Sequence, residues 1–169
     1  MEAETKRQRL GRTYDRFGGL VFRRAMKLLQ DEAGARDTCH EVFAALLRDD
    51  GPLNRPDDEL LAWLYRATTN HCLNDLRNRR RRTALLAAGE APALMAATGL
   101  PLGLLLRGMP EDLQPYAIFY YIDEMTQQEI AEVMSVSQRT VCGRLQELRA
   151  FLDANFSETK AAVKEGKLG

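Results

Sequence analysis

Residues 57–82 read DDELLAWLYRATTNHCLNDLRNRRRR and predict one long helix around which the rest of the chain is organised. The stretch opens with three carboxylates directly after Pro56, where acidic side chains favour the start of a helix. Residues 60–82 then contain no Gly or Pro, so a single uninterrupted helix is the simplest interpretation. Positions spaced three and four residues apart predict one packed face, made by Leu60, Leu61, Leu64, Ala67, Thr68 and Cys72.

A second row of side chains follows the same helical spacing and consists of Trp63, Arg66, Asn70, Asn74 and Arg77. Aromatic, guanidinium and amide groups on one face can contact phosphates and read base edges together. The sequence then continues into a run of adjacent positive charges, Arg79, Arg80, Arg81 and Arg82, which repel one another unless a polyanion or solvent takes up the charge. The row therefore indicates either a nucleic-acid face or a solvated helix surface that ends in a basic linker.

Residues 62–82, AWLYRATTNHCLNDLRNRRRR, resemble region 2 of the extracytoplasmic function (ECF) sigma factors, which direct RNA polymerase to promoters. In that family Trp-Leu-Tyr-Arg, a following Asn and then Asp-Leu-Arg mark the helix that captures the promoter's −10 element. The resemblance implies that the row and the arginine run bind −10 DNA, and that Asn70 and its neighbours take up an unstacked base.

The composition limits the class of protein. The chain has 169 residues and balanced charges, with 24 Lys/Arg and 24 Asp/Glu. Residues 1–82 hold 17 Lys/Arg and 13 Asp/Glu, whereas residues 83–169 hold 7 and 11. This balance excludes a simple non-specific polycation but allows a local basic patch in the first half. Three widely spaced cysteines without a CxxC motif are typical of a reducing compartment, so we expect a cytoplasmic protein. The charged residues 1–10 predict no signal peptide, and Gly and Pro interrupt the apolar residues 84–106, so no membrane span is expected.

Two amphipathic helices are predicted before the long one. The first carries an apolar stripe at Tyr14, Phe17, Val21, Ala25 and Leu28. The second, over residues 37–47, carries a stripe at Cys39, Val42, Phe43, Leu46 and Leu47. Three helices with short connections predict a compact all-α domain.

The second of these helices also places two carboxylates, Asp37 and Glu41, one turn apart and away from its apolar stripe. Residues 14–47 resemble the opening of ECF region 2, and Asp37, Glu41, Val42 and Phe43 match its polymerase-binding signature. In that family the helix docks on the coiled coil of the polymerase's largest subunit. The resemblance thus implies that Asp37 and Glu41 bind polymerase, while Val42 and Phe43 are predicted to pack in the core.

The second half predicts a helix-turn-helix. Thr126 and Glu129 have the spacing of a capping box at the start of a short helix, and Ser137 can cap the next. In such a motif the second helix enters the major groove. Its core stripe is Val141, Leu145, Leu148 and Leu152, and an apolar-aromatic face is predicted before the motif at Tyr116, Ala117, Tyr120 and Tyr121. The candidate DNA contacts are Gln138, Arg139, Thr140, Cys142, Arg144, Gln146 and Arg149.

Residues 124–152 resemble ECF region 4, which binds the promoter's −35 element beside the polymerase flap. The predicted fold is all-α, with two small helical domains, residues 1–82 and 100–169, joined by a flexible linker at residues 83–99. The apolar residues 100–106 are interpreted either as the start of the second core or as an exposed patch that needs a partner.

The resemblance implies a non-enzymatic ECF sigma factor whose partners are RNA polymerase core, promoter DNA and an anti-sigma factor. We expect no cofactor. No metal site is expected, because the adjacent residues of Cys39-His40 and His71-Cys72 point about 100° apart on a helix. Two alternatives stay open: a free-standing helix-turn-helix regulator, and a sigma-like decoy that titrates an anti-sigma factor without melting DNA.

Overall fold

The computed structural model describes residues 5–86 and 102–164, and within these ranges the chain forms helices, turns and no strand. The predicted all-α class is therefore confirmed. The chain divides into two compact units, residues 1–90 and 91–169. No helix in the described part of the chain is both long enough and apolar enough to span a membrane.

Unit 1 contains three long helices and one short one: α1 (Lys6–Leu29), α2 (Glu32–Arg48), α3 (Asp50–Leu53) and α4 (Asp57–Leu86). The α1 helix starts with a capping box in which Thr5 and Gln8 satisfy each other's backbone N–H groups. Asp31 caps α2 by accepting hydrogen bonds from the N–H groups of Ala33 and Gly34. The second predicted helix thus begins five residues before its expected start at residue 37, because Asp31 supplies a cap that the apolar pattern does not reveal.

The core of unit 1 lies between α1, α2 and α4, and its cluster consists of Phe17, Val21, Cys39, Val42, Phe43, Leu46, Leu53, Leu60 and Leu64. The predicted stripes are correct for most of these positions. The prediction that Leu61 belongs to the packed face is wrong, since 39% of its surface is exposed. The neighbouring Leu60 is buried. Leu47 and Tyr14 are also exposed, although the Tyr14 ring packs edge-on against Phe43 with centroids 4.9 Å apart.

The long helix is uninterrupted, as predicted, but it continues to Leu86 and so passes the expected end of the first domain at residue 82. Its buried residues run at intervals of four, from Leu60 and Leu64 through Thr68 and Cys72 to Leu76. Most of the predicted linker, residues 87–99, lies outside the described residues, so its flexibility stays a prediction.

Unit 2 contains α5 (Leu102–Leu105), α6 (Gln114–Ala117), a π-helical turn (Ile118–Ile122), α7 (Gln127–Met134) and α8 (Gln138–Lys164). The capping box of Thr126 and Glu129 opens α7 as predicted. The N–H of Thr140 donates to Oγ of Ser137 over 3.1 Å, which caps α8. A kink interrupts α8 at Phe156, where φ is −134° and ψ is 22°. The helix-turn-helix arrangement of α7 and α8 follows from these caps.

The core of unit 2 includes the predicted stripe of α8, since Val141, Leu145, Leu148 and Leu152 are all buried. Leu102, Leu105 and Leu106 are buried too, at 2% exposure or less. Of the two interpretations of residues 100–106, the start of the second core is therefore correct for these three positions. The other interpretation, an exposed patch that needs a partner, is wrong for them.

The aromatic face predicted before the helix-turn-helix is only partly correct. Tyr116 and Ala117 are buried, but Tyr120 and Tyr121 are half-exposed and pack edge-on against each other. The buried positions are instead in the π-helical turn, at Ile118, Phe119 and Ile122. In this turn the N–H of Asp123 donates to the carbonyl of Ile118, five residues back. A wider turn rotates each residue less than an α-helix does, and this moves the apolar side chains onto the core side.

Candidate nucleic-acid interface

The outer face of α4 carries the predicted row in one line. Asn70 and Asn74 are exposed, while Trp63, Arg66 and Arg77 are half-buried along the same side. At a rise of about 1.5 Å per residue, the row extends about 21 Å from Trp63 to Arg77. Polar and aromatic groups of this size and separation can contact several successive nucleotides of one strand.

Trp63 is anchored at the start of this row. Its ring packs against the core cluster together with Leu10 and Ala67, and part of it faces solvent. An aromatic ring that is held from beneath keeps its orientation, so its exposed part offers a fixed surface on which a base can stack.

Asn74 and Arg77 form a hydrogen-bonded pair further along the row. The NH2 group of Arg77 donates to Oδ1 of Asn74 over 2.6 Å, and Nε donates to the backbone carbonyl of Leu73 over 3.2 Å. The side-chain amide of Asn70, in contrast, makes no hydrogen bond to any residue that the structure describes, and the residue is exposed. Asn70 therefore presents both a donor and an acceptor to a ligand.

A second arginine, Arg55, adds to the positive charge at the start of α4, and the sequence patterns did not single it out. Partial burial, together with the neighbouring charge of Arg55, lowers the pKa of Arg66. Arg55 lies in the turn between α3 and α4 and is exposed. Only the folded structure brings the charge of Arg55 close to Arg66. Two neighbouring guanidinium groups attract an anion such as a phosphate.

The arginine run does not lie on one side of α4. Arg81 comes about three turns after Asn70 and is exposed on the same side of the helix. Arg79 comes about two and a half turns after Asn70 and therefore faces the opposite side. There it makes ion pairs with Asp31 at 2.6 Å and Asp75 at 2.7 Å. These carboxylates hold the Arg79 side chain against the rest of unit 1, away from the row. That Arg79 binds −10 DNA stays a prediction.

The other two members of the run lie between these directions. Arg82 is exposed and donates from Nε to the carbonyl of Asn78 over 3.4 Å, and Arg80 is half-buried. Their part in nucleic-acid binding stays a prediction.

Arg24 of α1 packs against α4, and the sequence patterns did not identify this contact. It is 5% exposed, and its guanidinium lies 4.3 Å from the centroid of the Tyr65 ring. Its NH2 group donates to Oγ1 of Thr69 over 3.1 Å. A buried cation that contacts two residues of α4 ties α1 to the helix that carries the row.

The candidate polymerase contacts are at the surface of α2. Asp37 and Glu41 are exposed one turn apart, opposite the buried Val42 and Phe43. Glu41 lies 3.7 Å from the NH2 group of Arg48, which is a loose surface pair. Such a pair contributes little to stability, so these carboxylates are available to a basic partner.

In unit 2, five of the seven candidate DNA contacts of α8 are exposed, namely Gln138, Arg139, Thr140, Gln146 and Arg149. Cys142 and Arg144 are half-buried. The NH1 group of Arg144 contacts Asp112 at 2.8 Å and Glu147 at 2.9 Å, and these carboxylates raise the pKa of Arg144. Arg144 is therefore already neutralised within its own unit.

Within the described ranges, no group of three or more His, Cys, Asp or Glu side chains is arranged to hold a metal ion. Cys39 and Cys72 are buried free thiols in unit 1. Burial raises the pKa of the Cys72 thiol to about 12, which keeps it protonated near neutral pH.

Comparison with known proteins gives a match to a family model and to 13 chains of solved structures. Residues 13–82 match the family model described as Sigma-70 region 2, a span that contains α2, α3 and most of α1 and α4. No curated protein matches the chain.

The first similar structure is CnrH in complex with the cytosolic domain of CnrY. It is 24% identical with a TM-score of 0.46, and the match covers 89% of this chain and 91% of that one. The second is the sigma factor RpoE in complex with the anti-sigma factor NepR from Bartonella quintana. It is 15% identical with a TM-score of 0.49, and the match covers 85% of this chain and 94% of that one.

Proposed function

We propose that this chain is an ECF-type sigma factor that binds RNA polymerase core and directs it to promoters. The observation that carries the proposal is the outer face of α4, which lies within the span that matches Sigma-70 region 2. On that face an anchored Trp63, an unengaged Asn70 amide and the exposed Arg81 lie in one line. These groups supply stacking, base-edge hydrogen bonds and phosphate contact to one strand.

The proposed mechanism begins with strand separation at the −10 element. A base that leaves the duplex exposes its Watson–Crick edge, and Asn70 offers the donor and acceptor that such an edge requires. Trp63 stacks on a neighbouring base, and Arg66, Arg55 and Arg81 neutralise the backbone. Stacking on an aromatic side chain contributes about 1–3 kcal/mol per base, which stabilises the open strand against reannealing.

In this mechanism α2 binds polymerase, whereas α4 binds DNA. Asp37 and Glu41 meet a basic surface of the largest subunit's coiled coil, while the opposite face of α2 remains in the core of unit 1. Complementary charges of this kind accelerate encounter and fix orientation more than they add affinity.

The helix-turn-helix of unit 2 reads the −35 element beside the polymerase flap. Arg139 and Arg149 are exposed on α8, whereas Arg144 is occupied by Asp112 and Glu147. Residues 83–169 hold 7 Lys/Arg against 11 Asp/Glu, so unit 2 binds duplex DNA weakly by itself. It depends on unit 1 and the polymerase to raise its effective concentration at the promoter.

An anti-sigma factor remains an expected partner, and three of the apolar residues 100–106 are not available to it. Leu102, Leu105 and Leu106 belong to the core of unit 2 and offer no surface to a partner. We expect such a partner to compete with polymerase for the chain, and the two to be recovered in separate complexes.

The second candidate function is a sigma-like decoy that binds an anti-sigma factor without melting DNA. The neutralised Arg144 favours it, because a chain that no longer reads the −35 element needs no available cation there. A free-standing regulator, in contrast, must bind duplex DNA tightly without polymerase.

Pull-down of RNA polymerase core followed by runoff transcription separates these functions. A sigma factor binds core and yields promoter-specific transcripts from a genomic library, whereas a decoy yields no specific transcript. A free-standing regulator binds duplex DNA tightly with no core present, and that result would contradict the proposal.

A further inference from the structure

Arg79 lies between two carboxylates that come from different parts of unit 1. Its NH2 group is 2.6 Å from Oδ2 of Asp31, in the turn between α1 and α2, and 2.7 Å from Oδ2 of Asp75, one turn earlier on α4. Asp31 also accepts hydrogen bonds from the backbone N–H groups of Ala33 at 3.2 Å and Gly34 at 3.1 Å. One guanidinium thus links the first turn of α2 to the last third of α4.

Gly34 makes room for this arrangement. A Cβ atom at this position would lie 2.3 Å from the NH2 group of Arg79 and 2.8 Å from Oδ2 of Asp31. No real Cβ approaches other atoms so closely, so any larger residue displaces the guanidinium or the cap. Arg79 therefore fits against the first turn of α2 for two reasons: Gly34 has no side chain to displace it, and the Asp31 carboxylate attracts it.

The charges in this cluster influence one another. The hydrogen bond from Arg79 is the main cause that lowers the pKa of Asp31, and the two carboxylates raise the pKa of Arg79. The three side chains are between 30% and 39% exposed, so they are partly withdrawn from solvent. A network of three partly desolvated charges holds its geometry better than an isolated surface pair.

We propose that Arg79 is a positioning residue, which fixes the basic end of α4 against α2 so that the polymerase-docking helix and the nucleic-acid face keep one relative orientation. This inference rests on the proposed function. It assigns to Arg79 a role that differs from the strand contact assigned to Arg81, two residues later on the exposed side of the helix. Among the residues of α4 whose side chains the structure describes, Leu76 is the last buried one, so the link to Asp31 lies beyond the packed part of the helix.

The sign of one substitution distinguishes positioning from simple electrostatics. Asp31→Asn removes a negative charge, and by charge alone a nucleic-acid-binding protein then binds DNA equally well or more tightly. Asn ranks with Asp as a helix cap, and its Oδ1 can keep one of the two backbone hydrogen bonds of Asp31, so α2 keeps a capping side chain. If the link positions α4, Asp31→Asn weakens DNA binding by roughly threefold to tenfold in spite of the more favourable charge.

The experiment uses holoenzyme assembled from polymerase core and the full chain, with a forked promoter fragment selected by the wild-type holoenzyme as the probe. Asp58→Asn is the matched control, because Asp58 is an exposed carboxylate on the same helix and outside the link. We expect Asp58→Asn to bind as the wild type does or more tightly. Circular dichroism at the binding temperature verifies that each variant is folded.

Arg79→Lys provides a second variant that keeps the charge. Lys serves a phosphate contact as a point charge but does not reproduce a guanidinium that bridges two carboxylates. We expect Arg79→Lys to lose affinity to the same extent as Asp31→Asn. Near-wild-type affinity of Arg79→Lys would assign Arg79 to a phosphate instead.

The wild type is measured first, so that two kinds of failure remain distinct. If the wild-type chain brings no promoter fragment to core, the proposed function is wrong and the positioning role fails with it. If the wild type binds and Asp31→Asn binds equally well or better, the positioning role alone is wrong.

Discussion

The guanidinium of Arg24 lies 4.3 Å from the centroid of the Tyr65 ring and joins α1 to the middle of α4 inside unit 1. Arg24 is buried, and it also donates a hydrogen bond to Thr69. A buried side chain with these contacts contributes to stability through the cation–π interaction, the hydrogen bond and the volume it fills. The helix that carries the candidate nucleic-acid face is thus packed against a buried cation from another helix.

Arg24→Ala is expected to lower the free energy of unfolding by about 3 kcal/mol, since it removes these contacts and leaves a cavity. Urea denaturation followed by circular dichroism measures the change. Arg23→Ala is the control, because Arg23 is the exposed neighbour and its loss should change stability by no more than about 0.5 kcal/mol. Equal effects of the two substitutions would show that the buried contacts contribute little.

These contacts also indicate why the sequence revealed only part of the site. The helices and most buried positions follow from local spacing, as Val141, Leu145, Leu148 and Leu152 do. Arg24 and Thr69 are 45 residues apart, and Arg79 and Asp31 are 48 apart. No local pattern relates such residues, so the four arginines of residues 79–82 look equivalent until the fold separates them.

The misassigned apolar positions have a related cause. Leu60 and Leu61 both fit a helical stripe, since spacings of three and of four are both compatible with one face. The neighbouring helices decide between them, and they select the run at intervals of four that starts at Leu60. In unit 2 the π-helical turn changes the rotation per residue, which no apolar pattern based on an α-helix anticipates.

The docking role of α2 predicts a loss of polymerase binding when its acidic pair is reversed. The double variant Asp37→Lys, Glu41→Lys should bind polymerase core at least about tenfold more weakly, because two attractive charges become repulsive. Both residues are exposed, so the helical content should not change. Pull-down of core against a titration of the chain measures the affinity.

A charge-matched control for this experiment is Glu111→Lys with Asp153→Lys, at exposed positions of unit 2. Similar losses in the two double variants would indicate a general charge effect. They would contradict a specific docking surface on α2.

The lowered pKa of Asp31 predicts a pH dependence of stability. A carboxyl group whose folded pKa lies below its unfolded value contributes stability above the unfolded pKa, and this contribution disappears as the pH falls through the folded pKa. The hydrogen bond from Arg79 is the largest cause of the shift. The melting temperature of the wild type should therefore fall more steeply than that of Asp31→Asn as the pH is lowered below about 4.

Thermal melting of both proteins between neutral and acidic pH measures this difference. Parallel curves for the wild type and Asp31→Asn would mean that Arg79 does not stabilise the ionised Asp31 carboxylate.

The ion pairs of Arg144 predict that the cations of α8 contribute unequally to duplex binding. Loss of a phosphate contact lowers the salt slope by about 0.9. Arg139→Ala should produce a change of this size, whereas Arg144→Ala should produce less than half of it, because Asp112 and Glu147 already neutralise Arg144. A salt titration of holoenzyme binding to a −35 duplex measures both slopes, and a larger effect of Arg144→Ala would overturn the assignment.

Open-complex formation by holoenzyme carrying Asn70→Ala tests the central claim most directly. Asn78→Ala is the control, since Asn78 is an exposed asparagine of the same helix, about a quarter-turn round the helix from Asn70. If α4 captures the −10 strand, Asn70→Ala forms open complexes on a duplex promoter at least about fivefold less well, and a premelted template restores little of this loss. Asn78→Ala should behave as the wild type does. Full activity of Asn70→Ala on the duplex promoter would contradict the claim that α4 captures the −10 strand.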